Sequence, residues 1–180
     1  MKIIKTRLDG LLIIEPDIYQ DERGYFFESY NKEKFLTMGL DFTFLQDNES
    51  KSAKGVLRGL HFQVPPFAQG KLVRVMKGAV LDVAVDLRKK SPTYGKWEGV
   101  ELSERNKRMY WIPKGFAHGF LTLEDDTVFF YKCTAVYNKE SEKSIAWNDT
   151  DLQIQWGTSD PVLSEKDKSC AAFRNFVSPF

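Results

Sequence analysis

Apolar and polar positions along this chain recur every two residues far more often than every three or four. The clearest stretch is Leu81 to Leu87, LDVAVDL, which distributes its side chains to two faces as a strand does. Similar runs span Val56 to Phe62, Lys71 to Met76, Ala79 to Leu87, Lys96 to Leu102, Arg108 to Ile112, Ala117 to Leu123, Thr127 to Val136 and Leu152 to Trp156. Met1 to Ile14 reads as two short strands broken at Asp9-Gly10, a type I′ hairpin signal, and Tyr25 to Tyr30 is aromatic and strand-like. Phe42 to Ser52 keeps the period of two but switches from Phe42 and Phe44 to Gln46, Asn48 and Ser50, as a strand would whose far end lines a polar cavity. Helical signals are few. Asn31 can cap Lys32 to Met38 before Gly39 stops it, and Ser164 with Asp167 has capping-box spacing at the head of a helix over 164–174. About ten strands separated by short turns predict one all-β domain over residues 1–180, a sandwich or barrel with the segment after residue 160 packed on it.

Composition narrows the function. At 180 residues the chain can bury a substantial core, and its net charge of +1 asks for neither nucleic acid nor an anionic membrane as partner. No apolar run is long enough for a signal peptide or a membrane span, and Cys133 and Cys170 have no disulfide or metal spacing, so a reduced, cytoplasmic setting is expected. A metal centre is not expected either, since β-barrel metal sites use three or four His or carboxylate ligands and the chain has two histidines.

Those histidines are the first candidates for chemistry. His61 lies in Arg58-Gly-Leu-His-Phe-Gln63; alone on a strand it is compatible with a structural role, but an imidazole with an ordinary pKa of about 6.5 also suits a general base. Arg58 and Lys71 flank it, the first suited to a phosphate and the second to a developing oxyanion. A regular strand would turn Arg58 and His61 to opposite faces, so joint use of both requires a twist or bulge at Gly59. His118 sits among Pro113, Gly115 and Gly119 and can serve a substrate hydrogen bond or structure. Tyr131 and Tyr137 fall on one face of their run, where they could pack or donate a proton. Asp167 reads as a surface acid or cap; were it to meet His61 it would orient the ring.

Taken together, Asp21-Glu-Arg-Gly-Tyr-Phe-Phe-Glu28, Gln46-Asp-Asn48, Gly55 to Gln63, Gly70-Lys-Leu-Val-Arg-Val75, Gly78 to Arg88, Ile112 to Phe120, Tyr131-Lys-Cys-Thr134 and Leu163-Ser-Glu-Lys-Asp167 resemble the dTDP-4-dehydrorhamnose 3,5-epimerase family of the cupin class. The resemblance covers nearly the whole chain. It implies a jelly-roll barrel, a homodimer and no cofactor or metal. It also implies a reaction that inverts C3 and C5 of dTDP-4-dehydro-6-deoxy-D-glucose (the dTDP-4-keto-6-deoxyglucose substrate). Carried over residue by residue, it makes His61 the base, Asp167 its partner, Lys71 the stabiliser of the enolate oxygen and Tyr131 the acid on the other sugar face. Arg23, Gln46, Asn48 and Arg58 match substrate-holding positions, Glu28 a nucleotide contact, Tyr137 a stacking position at the base and His118 a sugar contact. Glu142 and Lys166 match further binding positions. Rival expectations are an enzyme acting at one carbon only, a ketoisomerase, and a non-catalytic nucleotide-sugar binder.

Overall fold

The computed structural model describes residues 1–180. Thirteen strands are present: β1 (Lys2–Lys5), β2 (Leu12–Glu15), β3 (Tyr19–Asp21), β4 (Gly24–Phe26), β5 (Gln46–Ser52), β6 (Leu57–Gln63), β7 (Lys71–Lys77), β8 (Ala79–Asp86), β9 (Trp97–Ser103), β10 (Met109–Ile112), β11 (Phe116–Thr122), β12 (Thr127–Cys133) and β13 (Glu142–Ser144). Helices α1 (Lys32–Thr37) and α2 (Glu165–Lys168) are short. One sheet runs β1-β2-β10-β7-β12-β5 and the other β13-β6-β11-β8-β9. Within them β5 pairs with β12, β6 with β11, β7 with β10 and β8 with β9, all antiparallel. That nested pairing, alternating between sheets, is a jelly roll.

The period of two divides the side chains between three cores. Val73, Val75, Val80, Ala84, Tyr110, Phe116, Phe120 and Phe129 meet between the sheets. Leu57, Leu60, Phe62, Val83, Val85, Ala117 and Leu121 face outward from the five-stranded sheet and are covered by Ile145, Leu152, Trp156 and the C-terminal Phe173, Phe176 and Phe180. Leu72, Met109 and Trp111 face outward from the other sheet beneath Phe35 of α1, Leu40 and Phe42. Because both faces of the central strands are covered, β10 and β11 are buried at every position. At the β7–β8 corner the chain changes sheets through Gly78, where φ is +79° and a Cβ would lie 2.2 Å from Thr127 Oγ1.

The structure departs from the sequence expectations at several edges. Asp9-Gly10 is not a two-residue hairpin, since Lys5 pairs with Leu12 and six residues form the loop. Tyr25 to Tyr30 keeps strand geometry only at its start, in the separate two-stranded hairpin β3–β4. Leu152 to Trp156 forms no strand; Leu152 and Trp156 are apolar caps on the outer sheet face, and the Trp156 indole donates to the Trp147 carbonyl at 2.8 Å. The helix over 164–174 stops after one turn at Lys168, with a 3₁₀ turn at Phe173–Asn175. No helix is long and apolar enough to cross a membrane.

Candidate active site

At one end of the sandwich the two sheets part around a cleft with two lobes of about 300 Å³ each, both bordered by His61, Lys71 and Tyr131. One lobe adds Gln46, Asn48, Gln63, Gln69, Tyr137 and Glu142; the other adds Ser50, Arg58, His118, Phe129, Lys166 and Asp167. The polar end of the β5 alternation therefore lines the cavity.

His61 owes its aim to an irregularity in β6. Across to β11, His61 pairs with His118 but Arg58 pairs with Phe120, so three steps on one strand oppose two on the other. The extra residue is Gly59, with φ +133°, and a Cβ there would lie 2.5 Å from Gly119 Cα. Leu57, Leu60 and Phe62 consequently point to the outer core, while Arg58 and His61 both turn to the cavity. The conflict between these two side chains is resolved by this one-residue bulge.

His61 Nε2 lies 2.6 Å from Asp167 Oδ1, and no protein group bonds to Nδ1. Asp167 is 4% exposed. Its amide donates to Ser164 Oγ and its Oδ2 accepts from that hydroxyl at 2.7 Å, so the α2 cap also fixes the carboxylate. Burial works against the Asp167 charge, but the bonds from His61 and Ser164 outweigh it and hold the carboxyl below its ordinary value. A neutral imidazole held in this way donates from Nε2 and offers the Nδ1 lone pair to the cavity.

Lys71 and Tyr131 stand on neighbouring strands of the opposite sheet, with the Lys71 Nζ 5.8 Å from the tyrosine ring centroid. Lys71 has no ion pair or hydrogen bond to protein; burial pulls its pKa below the ordinary value, only partly opposed by Cys133 and Asp82. Burial likewise raises the Tyr131 phenol, which stays protonated at neutral pH. A desolvated ammonium without a partner is an unusual expense inside a fold and marks a place prepared for negative charge.

Beneath them His118 Nε2 lies 3.0 Å from each oxygen of Asp82, which is fully buried on β8. Burial pushes Asp82 up and His118 down, despite their contact, which favours a neutral ring donating to the acid. At the mouth, Glu142 bridges Lys166 Nζ at 2.5 Å and the Tyr137 hydroxyl at 3.0 Å. Arg58 lies at the rim, its Nε donating to Ser52 Oγ at 3.1 Å.

The family model for dTDP-4-dehydrorhamnose 3,5-epimerase matches residues 5–175 of this chain. The chain belongs to this family. It is 57% identical over 169 residues to the dTDP-4-dehydrorhamnose 3,5-epimerase of Salmonella typhimurium, covering 93% of this chain and 92% of that one. It superposes with a TM-score of 0.94 and 50% identity on the Legionella pneumophila dTDP-6-deoxy-D-glucose-3,5-epimerase in complex with dTDP-4-keto-L-rhamnose, covering 98% and 94% of the two chains. A 3′-monoepimerase from Streptomyces bikiniensis in complex with dTDP-quinovose is more distant, at 35% identity and a TM-score of 0.87 over 93% and 85% of the chains.

Of the positions carried over from the family pattern, His61, Asp167, Lys71, Tyr131, Gln46, Asn48, Arg58, His118, Tyr137, Glu142 and Lys166 meet around the cleft. Two do not. Arg23 sits at the tip of the β3–β4 hairpin, bonded to Asp21, and Glu28 braces α1 through Lys34 at 2.8 Å and Asn31 at 3.1 Å. Neither borders the cavity of its own chain. Ser50, on the polar face of β5, and Ser164, the cap of α2, also border the cleft, and Asp82 beneath it is a residue that the sequence does not single out. For Asp82 a signal exists: it is a carboxylate on the inward face of β8 between Val80 and Ala84, where a purely structural strand carries apolar residues.

Proposed function

We propose that this chain inverts C3 and C5 of dTDP-4-dehydro-6-deoxy-D-glucose, giving dTDP-4-dehydro-L-rhamnose. The observation that carries this reading is that an oriented imidazole and a protonated phenol stand on opposite sheets across one cleft, with an unpartnered ammonium beside the phenol. His61 Nδ1 takes the proton next to the 4-keto group, and the C–H electron pair moves through the C3–C4 or C4–C5 bond onto the C4 oxygen. Lys71 offsets the charge of that enolate. Tyr131 then gives its proton to the other face of the carbon, the carbonyl re-forms, and the centre is inverted. Solvent returns the proton lost by Tyr131 and removes the one gained by His61. No electrons enter or leave, so the step calls for no redox cofactor. Arg58 at the rim suits the diphosphate and Tyr137 the base. Two unpaired thiols suit a cytoplasmic setting.

Turnover of the 4-keto sugar nucleotide in D₂O tests the reading. Deuterium at both C3 and C5 of the product is expected. Deuterium at one carbon would place the chain with single-centre enzymes, and none would make it a binder. Tyr131→Phe is expected to lower inversion by about 10²-fold while leaving deuterium exchange on the original face largely in place, because only delivery from the far side is lost. Equal loss of exchange and inversion would remove Tyr131 from that role.

We also propose that two copies work together and that the β3–β4 hairpin serves the partner's cleft. In support, Tyr19, Tyr25 and Phe26 on the hairpin are 66%, 56% and 70% exposed, and Arg23 at its tip borders neither lobe of its own cleft. Mixing Arg23→Ala with His61→Asn subunits tests this. A shared site makes one cleft of each mixed pair wild type, so activity should exceed the sum of the two separate variants. A merely additive mixture would rule the exchange out.

A further inference from the structure

We infer that Gln63, seconded by Gln69, is a positioning residue that sets the Tyr137 platform at a fixed distance from His61. The inference rests on the reading of Tyr137 as the surface on which the nucleotide base stacks.

Past Cys133 the chain leaves the β12 ladder, and the segment 134–138 has no neighbouring strand. Thr134 N still donates to Gly70 O and Asn138 O accepts from Glu142 N, but the Ala135 and Val136 carbonyls and the Tyr137 and Asn138 amides are taken up by side-chain amides. Gln63 Nε2 donates to Val136 O at 3.2 Å, and Gln63 Oε1 accepts from Asn138 N at 2.7 Å, so one side chain grips the residues on both sides of Tyr137. Its remaining donor reaches Phe67 O at 2.7 Å, on the loop before Lys71. Gln69 Nε2 donates to Ala135 O at 2.7 Å, and Gln46 Oε1 accepts from Tyr137 N at 2.7 Å. Tyr137 itself remains 53% exposed while Gln63 is 5% exposed. A fully buried amide is thus committed to holding a surface ring in place.

The location of Gln63 gives that grip its meaning. It lies two residues beyond His61 on the regular part of β6 and turns to the same cavity, so proton-transfer group and base platform hang from one short piece of strand. Burying an amide is costly unless its bonds are made, and here three of four are made, all to loop backbone. An apolar residue of equal size would fill the space as well; what it could not do is fix Tyr137. A nucleoside diphosphate sugar has a set length from base to C4. Holding the two ends of the site rigidly apart lets binding energy at the base place the sugar carbons against His61.

The test is a double-mutant cycle read with two ligands, dTDP and inorganic pyrophosphate, by calorimetry. Gln63→Leu should weaken dTDP by about tenfold and pyrophosphate by less than about twofold, and should raise KM far more than it lowers kcat. In a Tyr137→Ala background the same substitution should cost less than about twofold for dTDP, because the platform it positions is gone. Equal weakening of both ligands, or an undiminished effect without the Tyr137 ring, would show general damage to the cleft and overturn the inference. Unchanged dTDP affinity in Gln63→Leu with weakening in Tyr137→Ala would overturn the bracket alone. An ineffective Tyr137→Ala would remove the platform and the bracket with it. Should Gln63→Leu not fold, the half-buried Gln69→Leu goes through the same cycle, with a loss of about threefold confined to dTDP expected and loss of selectivity between the ligands decisive.

Discussion

Replacing His61 with asparagine is expected to stop solvent deuterium exchange at both C3 and C5 of the 4-keto sugar while dTDP still binds with an affinity within about threefold of wild type. The geometry leads to this result. Only one imidazole nitrogen faces the cleft, because Nε2 is engaged by Asp167 at 2.6 Å. The other histidine, His118, is held by both oxygens of buried Asp82 and kept neutral by burial. An asparagine amide fits near the same position and can contact Asp167, but has no basic lone pair. General-base catalysis is ordinarily worth ~10²–10⁴-fold, and loss at the upper end is expected because no second base borders both lobes. NMR of the recovered sugar nucleotide reads the exchange at each carbon separately. Persistent exchange at either carbon would mean that another group removes that proton, and the single-base scheme would fall.

Much of this arrangement is legible in the sequence, and the reasons for the gaps are physical. The period-two runs predict the central strands well because their inward faces are fixed by contacts with the opposite sheet, as with Val73 and Val75 against Val80 and Ala84. The polar switch along β5 correctly announces a cavity. Alternation does not distinguish a strand from an extended cover: Leu152 and Trp156 have strand spacing, yet they cap an outer sheet face without pairing. Nor does it reveal the bulge at Gly59, whose register depends on close backbone approach to Gly119, a residue sixty positions away in the chain. Regular alternation therefore separates Arg58 from His61, and the fold reunites them. The Gln63 bracket is hidden for a similar reason. A glutamine at a strand end reads as solvated until the 134–138 segment is seen lying over it.

The largest effect after His61 is expected at Lys71, where activity and stability should move in opposite directions. Lys71→Met retains most of the side-chain volume and removes the charge. A donor aimed at a developing oxyanion is commonly worth ~10²–10³-fold in kcat, and Lys71 is the unpartnered cation bordering both lobes, so a loss of about 10³-fold is expected with little change in dTDP affinity. The same absence of a partner makes the lysine a burden to the empty fold. Burial lowers its folded pKa, so the native state holds the Lys71 proton less tightly than the unfolded chain does. The penalty is present in full below the folded value and fades as pH rises from there toward the ordinary 10.5. Lys71→Met should therefore melt at a higher temperature than wild type at neutral pH, with the advantage shrinking as the solution becomes alkaline. Thermal melts across that range, paired with turnover at neutral pH, separate a catalytic cation from a structural one. A structural lysine would give the reverse pattern, a lower melting temperature with turnover close to wild type, and that outcome would remove Lys71 from the enolate.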